Sequence, residues 1–72
     1  MASRLILAYE DATYTLHRDR IGHYILTRRA GGDCYIQGDA AFEVERVLEA
    51  LDEVPETRRS AMFDMALGDL IA

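Results

Sequence analysis

This chain of 72 residues has one cysteine, one proline, two histidines and no lysine. With Cys34 as its only cysteine, it cannot form an internal disulfide, which excludes a stapled secreted scaffold and points to a reducing, cytoplasmic location. A single proline and a half-hydrophobic composition exclude a disordered polymer. The apolar run Leu5-Ile6-Leu7-Ala8 is too short for the core of a signal peptide or for a membrane span, so no membrane partner is expected. The lack of lysine leaves arginine as the only strongly basic residue, which we attribute to genome composition.

Charge is scarce in one half and abundant in the other. Residues 1–38 carry five Arg against four acids, whereas residues 39–72 carry three Arg against nine acids. The net charge of −5 therefore resides in the C-terminal half, which opposes binding to a phosphate backbone and makes a nucleic-acid partner unexpected. A chain this short forms one domain, residues 1–72, and buries only about 60% of its unfolded surface. Chains this small usually draw on disulfides, a metal or oligomerisation, and with an internal disulfide excluded oligomerisation stays open.

The hydrophobic period changes from two to 3.6 near Gly38-Asp39. Before that joint, four short alternating runs predict an antiparallel meander over about residues 3–37. They are Arg4–Tyr9, Ala12–Arg18, His23–Arg28 and the stretch around Cys34–Gln37. If Glu10-Asp11 forms a two-residue loop, Leu7 faces Tyr14 and Leu5 faces Leu16. The same pattern sets Leu16 opposite Tyr24, His17 opposite His23, Arg28 opposite Cys34 and Leu26 opposite Ile36. The expected core face is then Leu5, Leu7, Tyr9, Tyr14, Leu16, Tyr24, Leu26, Cys34 and Ile36.

After the joint, Val44, Val47, Leu48 and Leu51 fall on one helix face, with Asp39 expected as the cap. Pro55 is placed as the first residue of a second helix, whose apolar stripe is Met62, Phe63, Ala66, Leu67 and Leu70. The helical half spans about residues 39–71. The fold class is α+β: a four-stranded antiparallel meander followed by two C-terminal helices packed on one face of the sheet.

Few residues carry chemistry. His17 and His23, if opposed, begin a metal site, but zinc needs at least three protein ligands and Cys34 points to the other face. Cys34 has no histidine on its own face to act as a base, so it reads as a packed thiol. Asp33 suits a turn, Asp39 a cap and Glu43 a first helical turn, which accounts for each locally. No catalytic residue, cofactor motif or metal set stands out, and an enzyme is not expected.

Apolar residues left over from the core are more informative. Phe42 lies opposite the first helix's stripe, Met65 falls outside the second, and Ile25 and Tyr35 occupy the outer sheet face. These residues predict a small non-enzymatic interaction protein that binds another protein of unspecified identity and also forms a homodimer. An alternative follows from Glu45, Glu49 and Glu53 together with Glu43, Asp52 and Glu56. Such an acidic half suits a phage or mobile-element inhibitor, of the anti-CRISPR kind, that occupies a basic nucleic-acid-binding groove of a host defence complex. A small metal-binding protein using His17 and His23 is the remaining alternative.

Overall fold

The computed structural model describes residues 4–71. Residue 3, where the sheet half was expected to begin, lies outside them. The elements are β1 (Ile6–Glu10), β2 (Tyr14–Arg18), β3 (Tyr24–Arg28), β4 (Asp33–Ile36), α1 (Asp39–Leu51) and α2 (Glu56–Leu67), with a final 3-10 turn over Gly68–Ile71. The four strands form one antiparallel sheet in the order β1-β2-β3-β4. The α+β meander with two C-terminal helices is the architecture that the two periodicities imply.

One sheet face and both helices share the core. Tyr14, Leu16, Tyr24, Leu26 and Ile36 come from the sheet, Ala41, Val44 and Leu51 from α1, and Phe63 and Leu67 from α2. Each large side chain removed from water there is worth about 1.5–3 kcal/mol. Val47 and Leu48 complete the α1 stripe at the core's edge, as Tyr9 and Cys34 do for the sheet.

The strands pair in different registers from those expected. In β2 and β3, Leu16 lies opposite Leu26, Arg18 opposite Tyr24 and His17 opposite Ile25. The hairpin is centred one residue further along the chain than alternation suggests, where the Asp19 carboxylate accepts from the amides of Ile21 (3.1 Å) and His23 (2.9 Å). In β3 and β4, Leu26 lies opposite Cys34 and Tyr24 opposite Ile36. There the Gly32 carbonyl accepts from the Arg28 amide at 2.9 Å, which draws Arg29 into the loop. Both shifts are by two residues and leave every side chain on its expected face.

The β1 shift does not preserve the faces. Asp11 opens a longer loop by accepting from the amides of Thr13 and Tyr14, each at 2.7 Å, so Glu10 stays in the strand opposite Thr15 and Tyr9 pairs with Leu16. An irregularity between Leu7 and Tyr9 inserts Ala8 as an extra residue, and Leu7 then pairs with His17. Leu5 and Leu7 therefore leave the expected core and are exposed.

The helix ends differ in detail. Gly38, at φ +66°, makes the bend and caps α1 with its backbone, while Asp39 lies inside the first turn and makes no capping hydrogen bond. Its charge still favours that end of the helix. Pro55 precedes α2 as its cap and is not its first residue; its carbonyl accepts from the Arg58 amide at 2.8 Å. Within the second stripe Phe63 and Leu67 are buried and Met62 is half-buried, but Ala66 and Leu70 face solvent. The reason lies on the opposite flank of α2. The Tyr14 hydroxyl donates to Asp64 at 2.5 Å and the Ser60 hydroxyl donates to Asp11 at 3.1 Å, which turns that flank toward the sheet. Gly68 fits beneath the first of these bonds, where a Cβ would lie 2.9 Å from the Tyr14 oxygen.

Candidate functional site

Three surfaces remain once the core is filled. The first is the sheet face away from the helices. Strand pairing places Leu7, His17, Ile25 and Tyr35 side by side in one row across all four strands. Leu7 and Tyr35 are each 51% exposed, and His17 and Ile25 between them are half-buried. Paired residues share a face, so the row is a continuous strip of mostly apolar side chains. Tyr35 is held in place at its end of the strip. Its hydroxyl donates to Asp19 at 3.1 Å and lies 2.6 Å from His23 Nδ1, with the two rings edge-on. Burial, the Asp19 hydrogen bond and the Asp19 charge all push the Tyr35 hydroxyl above its ordinary pKa, so it stays protonated.

His17 and His23 therefore do not face one another. Among the described residues, no group of three or more His, Cys, Asp or Glu side chains is placed to hold a metal ion. Cys34 is half-buried beside Leu26, away from Arg28's register position.

The second surface is a cleft of about 630 Å³ between the end of β1 and the two helices. Glu10, Asp11, Glu49, Asp52 and Glu56 line it with a single Arg59, over a floor that includes Leu48 and Leu51. Arg59 is tied to the Val54 carbonyl at 2.9 Å, and Glu10 pairs with Arg29 outside the floor. Of the six acids singled out by the sequence, Glu49, Asp52 and Glu56 line this cleft, and Glu43, Glu45 and Glu53 do not. Glu53 is exposed in the turn between α1 and α2, and Glu45 is half-buried, where its charge adds to burial in raising the Tyr24 hydroxyl's pKa. Glu43 is engaged by Arg46 at 3.3 Å. The acids of the helical half thus divide between the cleft and other parts of the surface.

The third surface is the outer side of the helices. Phe42 is 63% exposed on α1 and Met65 is 83% exposed on α2, as their positions off the apolar stripes require. Around Met65 lies a shallow apolar depression of about 620 Å³. These surfaces bring Ile25 and Tyr35 together but leave Phe42 and Met65 on separate helices.

Residues the sequence reading missed are Leu7, which joins the outer strip, and Asp11, which gathers four donors. The Asp11 carboxylate accepts from the Tyr9 hydroxyl, the Thr13 and Tyr14 amides and Ser60. An Asp followed by Ala-Thr at a strand end is the available signal for that turn. Among the described residues no helix is long and apolar enough to cross a membrane. No known protein family, curated protein or solved structure matches the chain.

Proposed function

We propose that this chain is a small, non-enzymatic protein-interaction module that binds another protein through the sheet face opposite its helices. The observation that carries this reading is the strip Leu7–His17–Ile25–Tyr35, ordered by strand pairing and left partly open to solvent. Single exposed hydrophobes are ordinary, but a contiguous strip on so small a domain is the composition of an interface centre. Its aromatic end is rigid, which reduces the side-chain entropy lost on docking. Charge at both ends of the strip tests the reading. The Leu7→Glu/Tyr35→Glu variant is expected to stay folded, because neither side chain belongs to the core and losing the Tyr35 hydroxyl's contacts with Asp19 and His23 costs about 1 kcal/mol. Quantitative capture from the native lysate should then recover at least about tenfold less of a stoichiometric partner than the wild-type chain does. Equal recovery by both would sink the proposal.

A second reading has its own observation, the five carboxylates of the 630 Å³ cleft. They suit an inhibitor that takes up basic side chains from a nucleic-acid-binding groove. The same capture distinguishes it, since a partner held this way is released by salt and an apolar strip is not.

A further inference from the structure

The outer face of α2, taken together with the 3-10 turn that continues it, repeats itself about its midpoint. Reading outward from the step between Phe63 and Asp64, Met62 and Met65 come first, then Ala61 and Ala66, then Arg58 and Asp69. Spacings of three and four keep the first five of these on one face of the helix. Arg58 lies one turn before Ala61, and Asp69 lies in the 3-10 turn two residues past the end of α2, so the two charges bracket the apolar positions along the chain. Arg58, Ala61, Met62, Met65 and Ala66 line the shallow apolar depression, and Asp69 is exposed in the turn that extends α2.

A surface with this symmetry is complementary to itself when turned by 180°. We propose that two copies of this chain pair through antiparallel α2 helices, with the two-fold axis passing between Phe63 and Asp64. In that arrangement Ala61 meets the partner's Met65 and Met62 meets the partner's Ala66. Each contact sets a short side chain against a long one, which lets the helix axes approach to about 8–10 Å without voids. At each end Arg58 comes level with the partner's Asp69, so the two like charges that would repel in a parallel pairing are matched with opposites. A two-fold interface of this kind is the commonest way for a small chain to gain buried area, and it uses every contact twice. Among the described residues neither Arg58 nor Asp69 is engaged in an ion pair within the chain, which leaves both for this contact. One helix face is at the small end of stable interfaces, so the dimer exchanges with monomer.

The inference rests on α2 alone and stands apart from the sheet-face strip. Analytical ultracentrifugation over about a hundredfold range of concentration is expected to show a monomer–dimer equilibrium. Arg58→Asp and Asp69→Arg should each raise the dissociation constant at least about tenfold, because each places like charges together twice. The double variant Arg58→Asp/Asp69→Arg exchanges the charges and should return the constant to within about threefold of wild type. Ala61→Glu should be monomeric, and the Leu7→Glu/Tyr35→Glu variant should dimerise as wild type does. A wild-type chain that stays monomeric throughout overturns the proposal. So does a dimer that ignores Arg58→Asp and Ala61→Glu, a double variant that fails to recover, or a dimer abolished by the sheet-face variant.

Discussion

Phe63→Ala is expected to remove about 3–5 kcal/mol of stability, the range for truncating a fully buried aromatic residue. Phe63 is completely buried in α2, its ring stacks on Tyr9 at 3.9 Å between centroids, and Tyr14 lies against it at 5.4 Å and 49°. The side chain thus links α2 to both β1 and β2. Aromatic pairs add about 0.5–1.5 kcal/mol beyond the area they bury, so the upper part of the range applies. A 72-residue domain holds only about 4–11 kcal/mol in total at roughly 0.05–0.15 kcal/mol per residue. The variant should therefore be mostly unfolded at low denaturant, whereas Phe63→Leu should retain a cooperative transition. Urea denaturation followed by circular dichroism gives the answer, and a Phe63→Ala midpoint near that of wild type would refute the assignment of α2's docking to this ring.

The position of Phe63 in an apolar helical stripe is legible without coordinates, but its stacking on Tyr9 is not. Alternation of apolar residues reports which face a side chain occupies, and it does so correctly for β2, β3 and β4. It does not report where a hairpin is centred, because a register shift by two residues leaves the alternation unchanged. The Asp19 carboxylate and the Gly32 carbonyl decide those registers through local hydrogen bonds. At Ala8 one inserted residue changes the parity, and the apolar run Leu5-Ile6-Leu7 becomes surface. The candidate site divides along the same line. Ile25, Tyr35, Phe42 and Met65 are outward by periodicity alone, and the structure places them so. Leu7 joins Ile25 and Tyr35 only because of the Ala8 insertion. The symmetry of the α2 face needed knowledge of which flank docks, and that is set by Tyr14–Asp64 and Ser60–Asp11, bonds between residues about fifty apart.

Asp11 is the second residue on which the fold depends, and through its charge. Partial burial opposes ionisation of its carboxyl. The Tyr9 hydroxyl, the Tyr14 and Thr13 amides and the Ser60 hydroxyl together outweigh that opposition and hold its pKa below the ordinary value. Asp11→Ala is expected to cost about 2–4 kcal/mol, because it leaves the Tyr9 hydroxyl and the Tyr14 amide without their acceptor and removes the turn's side-chain bonds. Asp11→Asn keeps the shape and loses the charge, and should cost about 1 kcal/mol. The sign of the pH dependence follows from the lowered pKa. The unfolded carboxyl titrates near about 3.9, so the Asp11 contribution is complete above that value and is lost as pH falls through the lower folded value. The stability gap between wild type and Asp11→Asn should therefore be constant from about pH 5 to 7 and close progressively below about pH 4. Asp19, also lowered against the opposition of its own desolvation by the His23 and Ile21 amides and Tyr35, leaves an acid limb in both proteins. Tyr9 acts at the other extreme. Burial first, then its bond to Asp11 and the Asp11 charge, raise its hydroxyl pKa, so its contribution holds below about pH 10 and is lost above it as the phenol ionises. Denaturation midpoints of the two proteins measured from acid to neutral pH decide the matter, and parallel curves across the acid limb would remove Asp11 as the charged centre of the β1–β2 turn.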